Sequence, residues 1–370
     1  MRPVCRISAA VDDEAQTPAR PAFFRLLVYD LQMSESKAVI FGCQGLVLSA
    51  EEIAFFSAEK PWGFILFARN INEKSQIVDL VGQLRECVGR NDVPILIDQE
   101  GGRVQRLRPP LAPHYPSGAE LGARYRRDKA KGLRAAWLLS RLHAFDLVPL
   151  GINVDCLPVL DVPTAEGHSV IGDRAYGADA ETVSAMGAQA AAGLRAGGAL
   201  PVIKHIPGHG RASADTHYEL PTVDTPHGEL SRTDFAPFKA LNGEAMAMTA
   251  HVIYSAFDKT APATTSAKVI SQIIRGQIGF DGLLMSDDVS MKALSGDFGD
   301  RTRAIISAGC DVTLHCNGVM NEMQAVAAAS PILDGEAKRR ADAVMAAFEK
   351  PDNSDEGMLR EEFETMMAVA

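Results

Sequence analysis

"PVIKHIPGHG", residues 201–210, opens on three apolar residues and passes straight into Lys204 and His205, then into Pro207, Gly208, His209 and Gly210. An apolar run of that length is too short for a helix and reads as a strand buried on both faces, as in parallel sheets. The fold depends on whether the pattern recurs, and it does. Similar runs rich in Val, Ile, Leu and Phe occupy residues 39–48, 63–67, 94–97, 152–156, 245–249, 282–285 and 311–314.

Longer amphipathic runs separate them. Ser49 with Glu52 in "SAEE" forms a capping box that opens one helix. "KSQIVDLVGQLRECV" (74–88), "GLRAAWLLSRLHAF" (132–145), "DAETVSAMGAQAAAGLRA" (179–196), "SAKVISQIIRGQI" (266–278) and "RTRAIISAG" (301–309) carry helical spacing. Strand and helix alternate through eight units, which predicts an α/β fold with a parallel sheet closed into a single (β/α)8 TIM barrel. A doubly wound open sheet is the other arrangement of such units, but no GxGxxG follows the first strand.

No linker or low-complexity stretch interrupts residues 33–350, so they are expected to form one catalytic domain. Residues 1–32 lack a clear period and are expected to be a poorly ordered N-terminal extension or an over-long gene start. Residues 351–370 form a C-terminal tail with the makings of a charged surface helix.

The chain is 46% hydrophobic and 23% charged, enough for a sizeable core. Its net charge of −10 and scattered Lys and Arg supply no basic stripe for nucleic acid or an anionic membrane. No segment approaches the ~20 apolar residues of a membrane span, and "MRPVCRISAAVDDEAQTPARP" has no apolar region of the secretory kind. Cys5, Cys43, Cys87, Cys156, Cys310 and Cys316 show neither a CxxC pair nor framework spacing, so reduced thiols in a cytoplasmic monomer are expected.

In a barrel, functional groups follow the strands. Here the strand ends carry Asp98, Asp155, Lys204 with His205, His251, Ser286 with Asp287 and Asp288, and His315 near Asn317. Each alone has an ordinary explanation. A carboxylate after a strand often caps the next helix, and Asp288 before "VSMKAL" reads that way. Together they mark the mouth of a site. Asp287 and Asp288 are neighbours on an extended end and point opposite ways, so one of them faces the mouth. Asp215 and His217 are two apart, so an extended loop projects both to one side. A carboxylate on one imidazole nitrogen fixes the tautomer, and an imidazole can both give and take a proton near neutral pH. Residues 205–222 show no period; a mobile flap with Gly208 and Gly210 as its soft points is expected, lying outside the core.

"IDQEGGRVQRL" (97–107), "KHIPGHG" (204–210), "DTH" (215–217) and "MSDDVSM" (285–291), in that order, resemble the family 3 glycoside hydrolases. The likeness is nearest to their single-domain bacterial β-N-acetylglucosaminidases of peptidoglycan recycling. Ile206 stands where an aromatic is common and Thr216 where serine is common. The resemblance implies a retaining β-N-acetylhexosaminidase that removes terminal β-linked GlcNAc from GlcNAc-anhydro-muropeptides through a covalent glycosyl-enzyme. It implies Asp287 as nucleophile, His217 as acid/base and Asp215 as its partner. It also implies that Asp98, Arg106, Arg174, Lys204 and His205 bind the sugar, with no cofactor and no metal. Ordinary roles stand beside these: a surface ion pair for Arg106, an interior charge pair for Lys204, loop ordering for His209, and places around the pocket for His251 and Asn317.

A β-glycosidase of other sugar specificity fits the same barrel. A metal-dependent hydrolase would draw on His205, His209, Asp215 and His217. Pro207 and Gly208 break the i, i+4 geometry such ligands use, and no HxH follows the first strand. A non-catalytic sugar-binding barrel would be expected to lack the nucleophile or the acid/base.

Overall fold

Eight parallel strands pair in chain order and close on themselves: β1 (Lys37–Gly42), β2 (Pro61–Leu66), β3 (Ile95–Ile97), β4 (Val154–Asp155), β5 (Leu200–Ile206), β6 (Met246–Thr249), β7 (Leu283–Asp288) and β8 (Val312–His315). The computed structural model describes residues 35–368 except 166, 168, 213, 217 and 218. The expectation for residues 1–32 lies outside them. The closing pair sets Val39 against Thr313, and closure leaves no sheet edge to protect. This is the TIM barrel that the alternation predicted.

The helices are α1 (Ala50–Glu59), α2 (Lys74–Val88), α3 (Gly118–Arg127), α4 (Lys129–Leu147), α5 (Ala180–Ala196), α6 (His227–Arg232), α7 (Phe235–Ala240), α8 (Phe298–Ala308), α9 (Met320–Ala329), α10 (Gly335–Ala346) and α11 (Glu356–Ala368). In α1 the capping box is present. The Ser49 hydroxyl accepts the Glu52 N–H at 3.1 Å, and the Glu52 carboxylate accepts the Ser49 N–H at 2.9 Å. The same carboxylate takes the Gln44 N–H at 2.8 Å and so pins the loop after β1. Helix α2 buries Ile77, Leu80, Val81, Leu84 and Val88 along one stripe and stops at Gly89, whose φ of 65° is the left-handed stop expected of glycine. Val269–Ile278 winds as a π-helix where helical spacing predicted an ordinary one; its apolar positions lie on one buried face in either winding.

Strand β1 ends at Gly42, short of the predicted apolar run. A Cβ at Gly42 would lie 2.3 Å from the Cys316 carbonyl oxygen, so the seam between the first and last strands is tight there. Arg69 staples the seam from above, donating to the carbonyls of Cys43 and Cys316. The tail helix α11 lies on α4, with Phe363 in the core and Arg134 paired to Glu362 through two hydrogen bonds.

The N-terminal end of the barrel carries its own chain of charges. Asp311, one residue before β8, is held by Arg275 at 2.7 Å and Arg340 at 3.0 Å. Asp281, two residues before β7, takes Arg340 at 2.9 Å and Arg339 at 2.8 Å. Among the described residues no helix is long and apolar enough to cross a membrane. The five described cysteines are free thiols, four of them buried.

Candidate active site

At the opposite end, where the strands terminate, lies a cavity of about 240 Å³. Strand β3 hands over to a short antiparallel hairpin, Gln99–Gly101 with Val104–Gln105. The Gln99 side chain fixes it, accepting the N–H groups of Arg106 and Leu107 at 3.0 Å each. Gly101, at φ 96°, is required there because a Cβ would lie 2.3 Å from the Pro116 carbonyl oxygen. The hairpin thereby presents Asp98 and Arg106 to the cavity, and β5 presents Lys204 beside them.

One wall is an alternating chain of charges. Arg106 meets Asp98 at 2.9 Å, Lys204 bridges Asp98 at 2.8 Å and Glu100 at 2.7 Å, and Arg174 grips Glu100 with two hydrogen bonds of 2.7 and 2.8 Å. Burial alone would push both carboxyls up. Lys204 and Arg106 outweigh it at Asp98, holding that group well below the usual range. Arg174 and Lys204 do the same at Glu100, bringing it to about 2. Burial likewise disfavours the Lys204 ammonium, but Asp98 and Glu100 hold its pKa above the ordinary lysine value.

The other wall is rich in histidine. His205 Nδ1 lies 2.7 Å from Asp161, which also accepts the main-chain N–H of His209 at 2.6 Å. Burial opposes the Asp161 charge, and His205 overcomes it, leaving the carboxyl at about 2. Ionised Asp161 only accepts, so His205 carries a proton on Nδ1. The His209 ring stacks edge-on to His205, with centroids 5.6 Å apart. Its Nδ1 has no partner among the described residues. Burial first, and then His205, lower its pKa to about 4, so the ring is neutral at neutral pH.

Asp287 and Asp288 close the floor from β7, and their surroundings separate them. Asp288 is consumed by its neighbours. Its carboxylate accepts the Ser290 N–H at 3.0 Å, the Ser290 hydroxyl at 2.5 Å and the Cys316 N–H at 3.2 Å, the ordinary loop-capping role. Among the described residues Asp287 accepts only the Asp288 N–H, at 2.8 Å on Oδ1. Burial would raise its pKa, but the His251 and His205 rings and that N–H outweigh it and hold the carboxyl below its usual range.

Every predicted site residue that the structure describes lines this one cavity: Asp98, Arg106, Arg174, Lys204, His205, Asp215 and Asp287. His217, the predicted acid/base, lies outside the described residues. Asp155, Ser286, His315 and Asn317 do not line it. Asp155 turns to the Gln99 N–H at 3.0 Å, Ser286 to the Leu314 N–H at 2.9 Å, and His315 and Asn317 to Glu322 at 3.0 and 3.3 Å.

Two expectations are corrected. The stretch 204–210 is buried throughout, because each ionisable side chain the core receives there arrives with a partner or in its neutral form. Gly208 and Gly210 serve close packing: a Cβ at Gly210 would lie 2.1 Å from the Val162 carbonyl oxygen. The described stem of the loop is fastened by Tyr254 donating to the Gly208 carbonyl, by Arg211 on Asp234 at 2.8 Å and Glu229 at 2.9 Å, and by the Ala293 N–H on the Thr216 carbonyl at 3.2 Å.

Sequence reasoning missed Glu100 and Asp161. Glu100 had a signal, since it stands two residues after Asp98 on extended chain and so shares its side. Asp161 had none, because its role depends on two histidines more than 40 residues away.

The model of the glycosyl hydrolase family 3 N-terminal domain matches residues 41–346. A curated β-hexosaminidase of Alkalilimnicola ehrlichii is 37% identical over 283 residues, 75% of this chain and 80% of that protein. One of Methylococcus capsulatus is 38% identical over 282 residues, 75% of this chain and 82% of that protein. NagZ from Neisseria gonorrhoeae, solved in complex with N-trifluoroacetyl-D-glucosamine, superposes with a TM-score of 0.79 at 29% identity, covering 90% of this chain and 97% of that one. A family 3 β-N-acetylglucosaminidase from Paenibacillus gives 0.78 at 29%, covering 89% of this chain and 67% of that one. With the barrel, the cavity and these relatives in agreement, the chain belongs to glycoside hydrolase family 3, among its β-hexosaminidases.

Proposed function

We propose that this enzyme is a retaining β-N-acetylglucosaminidase that releases terminal β-linked GlcNAc from peptidoglycan-derived muropeptides, as a cytoplasmic monomer. The observation that carries the reading is the state of Asp287. It is ionised at the cavity floor, with Oδ1 held by a main-chain N–H and Oδ2 unengaged by the described residues. A carboxylate so placed is a nucleophile for an anomeric carbon. The N-acetyl preference is supported by the sugar held in the Neisseria gonorrhoeae structure and by the activity for which the Paenibacillus relative is named.

In this reading the charged wall binds sugar hydroxyls: Asp98 lines the cavity and keeps lone pairs beyond those its cations use, while Glu100 behind it holds Lys204 and Arg174 in place. Asp287 Oδ2 attacks the anomeric carbon as the bond to the leaving oxygen breaks, and His217 gives that oxygen its proton. His217, oriented by Asp215, then takes a proton from water, which displaces Asp287 and restores the carboxylate.

A fluoroglycosyl inactivator tests the nucleophile. Label is expected on Asp287, and label on Asp288 would overturn the assignment. His217→Ala is expected to spare substrates with acidic phenol leaving groups and to accumulate the intermediate, with azide restoring turnover as a glycosyl azide. An equal loss on activated and unactivated substrates, without azide rescue, would move the acid/base role to another residue.

A further inference from the structure

His251 lies directly behind the nucleophile and does not reach the cavity. It is fully buried, as are Thr249 and Thr264. Its Nε2 lies 3.0 Å from the main-chain carbonyl oxygen of Asp288, and its Nδ1 lies 2.7 Å from the Thr264 hydroxyl. The Thr264 hydroxyl is in turn 2.8 Å from that of Thr249 and 3.0 Å from the Ala250 carbonyl.

Proton directions follow from what each atom can do. A carbonyl oxygen only accepts, so the imidazole proton sits on Nε2 and points at Asp288. Nδ1 then has a bare lone pair and must accept. Thr264 turns its proton to Nδ1, the nearer of its two possible acceptors, and takes a hydrogen bond from Thr249 in return. The result is a directed relay from Thr249 through Thr264 and His251 to the Asp288 carbonyl.

Asp288 is the residue through which this reaches the reaction. Its N–H holds Asp287 Oδ1, its carboxylate is tied to Ser290 and Cys316, and its carbonyl is held by His251. Of these ties, the one to His251 comes from behind the strand. We infer that His251 and Thr264 are positioning residues: Thr264 selects the Nε2–H tautomer of His251, and that N–H fixes the end of β7 so that Asp287 presents Oδ2 to the anomeric carbon. The inference rests on Asp287 being the nucleophile. Small displacements of a reacting group lower turnover steeply, by ~100-fold for ~1 Å, while leaving ground-state binding largely intact.

Thr264→Val is nearly isosteric and removes the proton that Nδ1 needs; Thr264→Ser keeps it. The valine variant is expected to lose about tenfold in kcat with KM within about twofold, and to be labelled by the fluoroglycosyl inactivator at a similarly reduced rate. The serine variant is expected to recover kcat to within about threefold of the parent. A valine variant with unchanged kcat and labelling rate would overturn the inference, and so would a serine variant no better than valine. Should the valine variant fail to fold, His251→Gln decides. Its amide nitrogen reaches the Nε2 position, so kcat within about fivefold of the parent supports the relay and a larger loss overturns it. If the unmodified enzyme is not labelled on Asp287, the proposed nucleophile has failed; if it is, and Thr264→Val labels as fast, only the relay has failed.

Discussion

The two ends of the barrel carry ion chains of nearly the same make-up. At the strand C-termini Arg106, Asp98, Lys204, Glu100 and Arg174 alternate; at the N-termini Arg275, Asp311, Arg340, Asp281 and Arg339 do. Both join cations and carboxylates at hydrogen-bond distance, yet one lines a cavity and the other closes the barrel floor. In the upper chain Lys204 and Glu100 have side chains only 2% and 4% exposed, whereas Asp281 in the lower chain is 66% exposed. Ion pairing alone therefore does not mark a site. A chain of charges becomes a binding surface where it is shielded from bulk water yet faces a space that a ligand can enter, because only there do its spare lone pairs act in a low dielectric.

Breaking the upper chain should separate the two most sharply. Glu100→Gln leaves Lys204 and Arg174 sharing a neutral amide. Removing one member of a buried ion pair costs about 3–5 kcal/mol. We expect kcat/KM to fall by at least ~100-fold, read by steady-state kinetics, with a lower melting temperature alongside.

Acid should act on the cavity end. Glu100 and Asp161 sit at about 2 in the folded protein, below the ~4 of unfolded chains. Between those values the unfolded state binds more protons, so stability falls as pH falls. Their contribution, about 3 kcal/mol each, is complete above about pH 5 and lost as pH drops through about 2. Denaturant titrations from pH 5 to pH 2 should show the decline, and Glu100→Gln should reduce it.

The lower chain makes the converse prediction. Arg340→Met should lower stability by about 2 kcal/mol, a shift of about 3 °C in Tm for a chain of this size, with kcat/KM within about twofold of the parent. A tenfold loss of kcat/KM at unchanged KM would erase the distinction between the two ends. The smallest effect belongs to the open surface. Lys129 and Glu181 are paired at 2.9 Å but largely exposed, and Lys129→Ala should move Tm by no more than about 1 °C.

The strand pattern made the barrel legible because period and length are local properties. Ser49 with Glu52, and the 74–88 stripe ending at Gly89, were likewise readable from neighbours a few residues apart. The cavity residues were legible because strand ends converge in a closed barrel, so a list of ionisable strand ends is already a list of near neighbours. Side-chain direction was not. Asp155 ends a strand and Asp98 follows one, yet the first turns behind the hairpin to the Gln99 N–H and the second faces the cavity. The choice between Asp287 and Asp288 needed the Ser290 and Cys316 N–H groups, of which the second comes from another strand end. The expectation that Gly208 and Gly210 are soft points failed for a related reason. Glycine in a loop reads as freedom until a facing carbonyl, here that of Val162, shows that it is the absence of a side chain that matters.

Lys204 ends as an unusual reagent target. A lysine in a barrel interior becomes a carbonyl-condensing amine when its surroundings strip its proton; Asp98 and Glu100 do the reverse, and the side chain is almost wholly enclosed. Its amine is held as an ammonium, which has no lone pair to offer. Aldehydes, acylating agents and trinitrobenzenesulfonate should leave it unmodified while Lys129 and Lys131 react, so in a lysine footprint of the native enzyme a residue lining the cavity would be silent.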